Sequence, residues 1–208
     1  FDGTVALRAL PAGALTRVLN AHTDEVLSLA YSPDGNQLVS GGYDGTAKVW
    51  SVSTGVLVHT LGGHFGGVHA VAVSNDQIAT GDTIGQVHLW SSATGAQVRS
   101  WRGHDESIQA LAFSPDGTLL ATGGQDGVVR VWRVSDGAEL RTFLGHEFGA
   151  TQMLFVANNW LLTADGAGTV RLYAIDTGDL GGQWQLSGAR IESMTFWAQQ
   201  QRLAIGGD

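Results

Sequence analysis

The chain repeats one short phrase at nearly even intervals. The phrase LLATGGQDGVVRVW occupies residues 119–132, and looser copies lie before and after it. Each copy ends in an aromatic residue, at Trp50, Trp90, Trp132 and Tyr173, which gives spacings of 40, 42 and 41 residues. A fixed period of this length predicts a chain built from copies of one supersecondary unit, stacked so that neighbours share a core.

A histidine keeps step with these aromatic residues. It follows Ala or Gly and recurs at His22, His64, His104 and His146, with spacings of 42, 40 and 42 residues. The next position in the series is Ser187, and the opening octapeptide FDGTVALR aligns with YDGTAKVW. We therefore divide the chain into units one to four, at about 22–62, 63–102, 103–144 and 145–186, and a split unit with halves at about 1–21 and 187–208.

Each unit is predicted to contain four short strands. In unit three, SIQALAF at 107–113 is an apolar run, and SPDG at 114–117 is typical of a turn. LLATGG and VVRVW flank a second turn, QDG, and ELRTFLG follows a third, SDG at 135–137. No segment shows a convincing helical period. Four antiparallel strands in about 40 residues are typical of a propeller blade, so we expect an all-β propeller of four-stranded antiparallel blades with about five repeats.

The recurring motifs resemble those of the WD-repeat (WD40) β-propeller family. They are Gly-His, Ser-Pro-Asp-Gly, Thr-Gly-Gly-x-Asp-Gly and an aromatic residue that closes the third strand, and together they cover essentially the whole chain. The resemblance implies a hydrogen-bonded chain of His, Ser or Thr, turn Asp and Trp in each blade. The sets that match are His22, Ser40, Asp44 and Trp50 in unit one, and His104, Thr122, Asp126 and Trp132 in unit three.

The other units match this pattern incompletely. Unit two retains His64, Thr80 and Trp90, and unit four retains His146, Thr163 and Tyr173. Ile84 and Ala167 stand where the turn Asp is expected, while Asp82 and Asp165 stand two residues earlier. We expect these two acids, or water, to satisfy the histidine and threonine, and packing to hold units two, four and the split unit.

The two halves of the split unit leave two interpretations open. Residues Phe1 and Asp208 both align with Tyr43, so the chain starts and stops in the same turn of the repeat. Either the halves combine and close a five-bladed ring, or the chain is a stretch of a larger propeller, which is the interpretation we favour. An unclosed arc would have bare sheet edges that could support self-association.

Composition argues against several other classes of protein. The net charge is -8, and the one Lys and ten Arg form no basic stripe, which argues against nucleic-acid binding. No apolar run approaches the ~18 residues of a membrane span. The sequence has no cysteine, and His59, His69 and His88 are predicted on different strands, so we expect no metal site and no cofactor. No catalytic constellation is recognisable, which predicts that the chain is not an enzyme.

The resemblance implies a working surface around the top of the central channel. The matching positions are the residue before the turn Asp and the residue three after the histidine. They are Phe1, Tyr43, Thr83, Gln125 and Gly166, then Glu25, Gly67, Ser107, Gly149 and Arg190. This mixed chemistry suits a protein or peptide partner, with the aromatic residues as anchors.

The opposite face is predicted to carry a smaller apolar patch. Trp160 and Trp197 flank first-to-second strand turns, with Val156 close by, and could receive another domain or subunit. Local packing over longer turns is the alternative. Trp101 and Trp184, three residues before the histidine position, are expected in the core.

We therefore expect a non-catalytic scaffold for protein–protein interaction, part of a larger protein or assembly. The alternatives are a sensor or regulatory module of a multidomain bacterial effector and an enzyme that uses the central channel. The near absence of Lys and the regular repeats point weakly to a bacterial origin, and we expect a cytoplasmic location.

Overall fold

The computed structural model describes residues 2–186, 191–197, 200 and 202–207. Those residues form strands joined by short turns, and no helix occurs among them. Twenty strands, β1 to β20, follow one another in six sheets. The all-β prediction is confirmed.

Four sheets have four antiparallel strands each, in chain order. The first, blade one, contains β3 (Val26–Tyr31), β4 (Gln37–Gly42), β5 (Ala47–Ser51) and β6 (Leu57–Leu61). Blade two contains β7 (Val68–Val73), β8 (Gln77–Asp82), β9 (Gln86–Ser91) and β10 (Gln97–Arg102). Blade three contains β11 (Ile108–Phe113), β12 (Leu119–Gly124), β13 (Val129–Arg133) and β14 (Glu139–Phe143). Blade four contains β15 (Ala150–Ala157), β16 (Trp160–Asp165), β17 (Thr169–Ala174) and β18 (Leu180–Gln185).

The blades are arranged side by side around a common axis. Their first strands contact each other in sequence, β3 with β7, β7 with β11 and β11 with β15. The predicted propeller arrangement, with each sheet covering a face of the next, is therefore present.

The core lies between successive blades. Between blades one and two, Val49 and Leu61 pack with Val68, Ile78 and Trp90, and all five side chains are buried. Burying a side chain of this size contributes roughly 1.5–3 kcal/mol. The same contact recurs between later blades, for example where the ring of Phe143 stacks on that of Tyr173 with centroids 4.0 Å apart. This repetition explains why the sequence restates one apolar pattern at each step.

The two halves of the split unit form separate sheets. Strands β1 (Thr4–Ala9) and β2 (Ala14–Asn20) pair only with each other, as do β19 (Ile191–Trp197) and β20 (Arg202–Gly207). The front sheet packs on blade one through Val5, Leu7 and Leu19. The described strands of the two halves therefore do not join into one four-stranded sheet, and we call the arrangement of the described sheets the arc.

The placement of Trp184 in the core is wrong. Its counterparts Leu19, Leu61 and Phe143 are at most 6% exposed, whereas Trp184 is 50% exposed. Each counterpart packs against the third strand of the following blade. The sheet that follows blade four consists of β19 and β20 alone, so no third strand covers Trp184.

Candidate functional site

The loops at one end of the blades bring the predicted rim residues together in pairs. In each blade, an amide in the second-to-third strand turn donates to the carbonyl of the residue three after the histidine. The bonds are Tyr43 N to Glu25 O (2.8 Å), Thr83 N to Gly67 O (3.0 Å), Gln125 N to Ser107 O (2.8 Å) and Gly166 N to Gly149 O (3.3 Å). We call this end of the arc the top rim. Phe1 and Arg190, the remaining predicted members, lie outside the described residues.

Three aromatic side chains are exposed on the top rim. Tyr43 is 57% exposed, Phe65 is 87% exposed and Phe148 is 81% exposed. The repeat pattern predicts Tyr43 at this surface but neither of the two phenylalanines. The available signal was their place in the loops after His64 and His146, where units one and three carry polar residues instead.

Phe148 adopts a backbone conformation that side chains normally avoid. Its φ is 57°, in the left-handed region, which costs roughly 1–2 kcal/mol for a residue other than glycine. A Cβ on Gly166 would lie only 2.8 Å from the Cβ of Phe148, so the loop needs glycine opposite. An exposed aromatic residue held under backbone strain supports a functional hypothesis for this loop.

Beneath the rim, blades one and three contain the complete hydrogen-bonded chain. In blade one, Trp50 Nε1 donates to Ser40 Oγ (3.0 Å), which lies 2.8 Å from His22 Nε2. His22 Nδ1 lies 3.0 Å from the Asp44 carboxylate. Blade three repeats these contacts.

The same connections join the side chains of blade three. Trp132 Nε1 donates to Thr122 Oγ1 (2.9 Å), which lies 2.7 Å from His104 Nε2. His104 Nδ1 lies 3.0 Å from Asp126. Every member has a partner within the blade, and the hydroxyls of Ser40 and Thr122 belong to fully buried residues, so these networks lie inside the blades.

The acids of this network are held in their charged form. Burial acts to raise the pKa of Asp44, but hydrogen bonds from Thr46, the Thr23 amide and His22 outweigh it and lower the pKa to about 2. For Asp126, burial is likewise opposed by the charge and hydrogen bond of His104, and the pKa falls below its usual value.

Blades two and four connect their histidines differently. His64 Nε2 lies 2.8 Å from Thr80 Oγ1, and its Nδ1 donates to the carbonyl of Gly45 in blade one (3.2 Å). His146 Nε2 lies 2.9 Å from Thr163 Oγ1, while its Nδ1 makes no hydrogen bond among the described residues. Burial lowers the pKa of both histidines to about 4, aided by the charge of His88 and Arg171, respectively.

Asp82 and Asp165 do not replace the missing turn Asp as the partner of the histidine. Neither makes a hydrogen bond to the histidine of its blade. Both are fully buried, and Oδ1 of each accepts two amides of its own turn, at 3.1 and 2.9 Å for Asp82 and at 3.0 and 2.9 Å for Asp165. Asp165 Oδ2 pairs with Arg171 at 2.7 Å, whereas Asp82 Oδ2 lies 3.9 Å from His88 Nε2.

A steric conflict explains why the two arrangements exclude each other. The position of Asp82 and Asp165 is glycine in the other blades, at Gly42 and Gly124. A Cβ on either glycine would lie 2.3 Å from Nδ1 of the adjacent histidine, far inside contact distance. A blade therefore has either glycine with a turn Asp bound to histidine, or a strand Asp and a reoriented histidine.

The second predicted interface borders an apolar groove. Val156 and Trp160 line a cavity of about 750 Å³ between blade four and the β19–β20 sheet, together with Leu172, Trp184 and Leu203. Nothing is described of the Trp197 side chain. The groove lies where a third and a fourth strand would cover blade four.

Two further classes of site are absent from the described part of the chain. Those residues include no group of three His, Asp or Glu side chains placed to hold a metal ion. They also include no helix that is long and apolar enough to cross a membrane.

Comparison with known proteins supports this description. The family model "WD domain, G-beta repeat" matches residues 13–51 and 95–133. The WD repeat-containing protein pop1 of Schizosaccharomyces pombe is 47% identical over 58 residues, which are 28% of this chain and 7% of that protein. Dynein assembly factor with WD repeat domains 1 of Mus musculus is 39% identical over 61 residues, 29% of this chain and 15% of that protein.

A cyanobacterial relative and a solved structure extend the comparison. An uncharacterized WD repeat-containing protein of Synechocystis is 36% identical over 76 residues, 36% of this chain and 22% of that protein. The chain thus spans less than a quarter of each of these three relatives. A chain in the "Crystal Structure of Mitotic Checkpoint Complex" is 23% identical with a TM-score of 0.90, covering 98% of this chain and 66% of that one. The chain thus contains sequence matched by the WD-repeat family model at residues 13–51 and 95–133, and its described part has the fold of a β-propeller.

Proposed function

We propose that this chain is a non-catalytic scaffold that docks a peptide or protein partner on the top rim, as part of a larger protein or assembly. WD-repeat propellers are generally protein-interaction scaffolds. The observation that supports rim docking is the exposure of Tyr43, Phe65 and Phe148 on one end of the arc. Aromatic residues are among the commonest anchors of protein interfaces.

The scaffold beneath these residues is suited to docking. The repeated amide–carbonyl bonds of the rim tie each second-to-third strand turn to the loop that precedes the first strand of the same blade. Binding residues on a rigid framework lose little conformational entropy when a partner binds. The proposal therefore combines anchors with preorganisation.

The absence of catalysis is part of this proposal. His22 and His104 lie in the networks below the rim and are at most 8% exposed, which leaves a substrate little access to them. An enzyme using the central channel remains the less favoured alternative.

A regulatory module of a multidomain protein is a second candidate. It is favoured by the small share of each relative that the chain matches, from 7% to 22%, since repeats of this kind then belong to longer proteins. The relatives include eukaryotic and cyanobacterial proteins, so a bacterial source and a cytoplasmic location stay proposals.

Selection of ligands from a random peptide library displayed on phage tests rim docking. Peptides selected on the wild-type chain should lose about tenfold in affinity on Tyr43→Ala or Phe65→Ala. The matched control is Val98→Ala, which removes a side chain exposed to a similar extent (53%) on the fourth strand of blade two. Selected peptides that bind the rim variants and the wild type equally would refute rim docking.

A further inference from the structure

The described loops of the top rim contain acidic side chains and no basic ones; Arg190, predicted for the same rim, lies outside the described residues. Eight connections form this end of the described blades, at 21–25, 43–46, 62–67, 83–85, 103–107, 125–128, 144–149 and 166–168. They contain no Lys or Arg. Their acidic residues are Asp24, Glu25, Asp44, Asp105, Glu106, Asp126 and Glu147.

Several of these carboxylates have no positive partner. Asp44 and Asp126 are bound by histidines, and Asp105 lies 3.6 Å from Arg102. No cation among the described residues pairs with Glu25, Glu106 or Glu147. The rim is therefore acidic around its exposed aromatic side chains.

The opposite end of the arc differs from the rim. There, arginine side chains reach across to the third-to-fourth strand turns of neighbouring blades. Arg17 donates to the carbonyls of Ser53 and Thr54, Arg99 donates to the Ser135 carbonyl at 3.1 Å, and Arg141 donates to the Asp176 carbonyl. Cationic side chains also reach the top, where Arg102 pairs with Asp105 and Arg130 with Asp126. None of those described pairs with Glu25, Glu106 or Glu147.

A cavity on the rim is lined by both aromatic and polar side chains. It measures about 430 Å³ and is lined by Gln109, Gln125, Phe148 and Gly166. It lies between the loops of blades three and four, which also carry Glu106 and Glu147. An aromatic face beside amide oxygens, with carboxylates in the adjoining loops, matches the recognition needs of a planar cation.

We propose that the rim binds a cationic peptide and that one arginine of this peptide enters the cavity beside Phe148. This inference rests on the proposed rim docking. The guanidinium stacks on the Phe148 ring and donates to the Gln109 and Gln125 amides, while Phe65 and Tyr43 contact apolar residues of the peptide. The unpaired carboxylates attract such a ligand and repel nucleic acids and acidic segments.

Three labelled peptides of equal length test the chemistry of the ligand. The first is Gly-Arg-Phe-Gly-Arg-Phe-Gly, the second replaces each Arg by citrulline, which is planar but neutral, and the third replaces each Arg by Glu. Fluorescence anisotropy should show the arginine peptide binding about tenfold more tightly than the citrulline peptide, as expected for one charged contact. The glutamate peptide should not bind. Raising the salt concentration should weaken the binding of the arginine peptide.

Variants of the protein test where the arginine peptide binds. Phe148→Gly removes the ring and relieves the backbone strain, so it keeps the fold and should weaken arginine-peptide binding by about 2- to 30-fold. Glu106→Gln with Glu147→Gln removes two charges from the rim. Its matched control, Asp76→Asn with Asp179→Asn, removes two charges from exposed residues at the bottom. Only the rim pair should weaken binding.

The outcomes separate this inference from rim docking itself. If the bottom pair weakens binding as much as the rim pair, or if Phe148→Gly has no effect, the arginine site is refuted. If library peptides bind the rim but carry no cation, or if the citrulline peptide binds as well as the arginine peptide, rim docking stands and the cationic ligand is refuted. If no peptide depends on any rim residue, both proposals fail.

Discussion

Blades one and three solve one packing problem in a different way from blades two and four. All four bury a histidine that lies within 2.9 Å of a Ser or Thr hydroxyl. In blades one and three a turn Asp binds the second ring nitrogen. In blades two and four a strand Asp binds its own turn and lies near a basic residue of the third strand, His88 or Arg171. The comparison shows that the repeat preserves the bond between the histidine and the hydroxyl, but not the position of the acid or its partner.

The largest loss of stability is expected where a buried charge loses its only counter-charge. Asp165 is fully buried and Arg171 is its ion-pair partner. Arg171→Met should lower the free energy of unfolding by about 3–5 kcal/mol, because it leaves a buried carboxylate without a cation. Urea unfolding measures this difference.

Arg130→Met in blade three is the matched control. Asp126 keeps its bond to His104, and Arg130 is more exposed than Arg171. The loss should stay below about 1 kcal/mol. Equal losses in the two blades would show that the two arrangements do not differ in how their acids are neutralised.

Lowering the pH should destabilise the chain through the histidines of blades two and four. Their folded-state pKa of about 4 lies below the ~6.5 of an unfolded histidine, so the unfolded chain binds protons first as the pH falls. Stability is complete above pH ~6.5 and declines as the pH falls to about 4, by about 2–3 kcal/mol for each histidine. Urea unfolding across this range measures the decline.

The variant His146→Gln isolates the contribution of one histidine to this decline in stability. The variant should be less stable at neutral pH, because a buried partner of Thr163 changes. Its decline between pH ~6.5 and 4 should be smaller than that of the wild type by the share of one histidine. A wild-type stability that does not change over this range would contradict the assignment of neutral, buried histidines.

The sequence predicts the strands and the His–Ser/Thr–Trp chain well, because both recur at a fixed period and each copy supports the others. It does not predict the partners of Asp82 and Asp165, since an acid two residues early can face its own turn or the histidine. Phe65 and Phe148 lie in loops that have no packing pattern, so no periodicity identifies them. Trp184 occupies a core position by alignment, but its burial depends on a neighbouring third strand that the alignment of a single unit does not reveal.

The steric origin of the difference can be tested at Gly42. A Cβ there would meet the His22 ring at 2.3 Å, so Gly42→Ala should destabilise the chain by about 2 kcal/mol through overpacking. Gly62→Ala is the control, because nothing lies within 4 Å of a Cβ at that position. It should leave the free energy of unfolding within about 0.5 kcal/mol of the wild type.

Exchange of the two arrangements gives the smallest expected effect. Asp82→Gly alone deprives the Ile84 and Gln86 amides of their acceptor and should cost about 1–2 kcal/mol. Ile84→Asp alone places a second carboxylate near the first, while the Cβ of Asp82 keeps the His64 ring away from it. The double variant recreates the glycine and turn Asp of blade one, so it should lie within about 1 kcal/mol of the wild type.

The double-mutant cycle decides whether the two arrangements are true alternatives. If they are, the losses of the single variants will exceed that of the double variant, with a coupling of at least about 1 kcal/mol. The pKa of His64 should then rise from about 4, because a carboxylate replaces the Gly45 carbonyl as the partner of Nδ1, and NMR titration of the ring measures this. Additive losses would mean that the strand Asp and the missing turn Asp arose independently, and that the steric conflict at the glycine position does not link them.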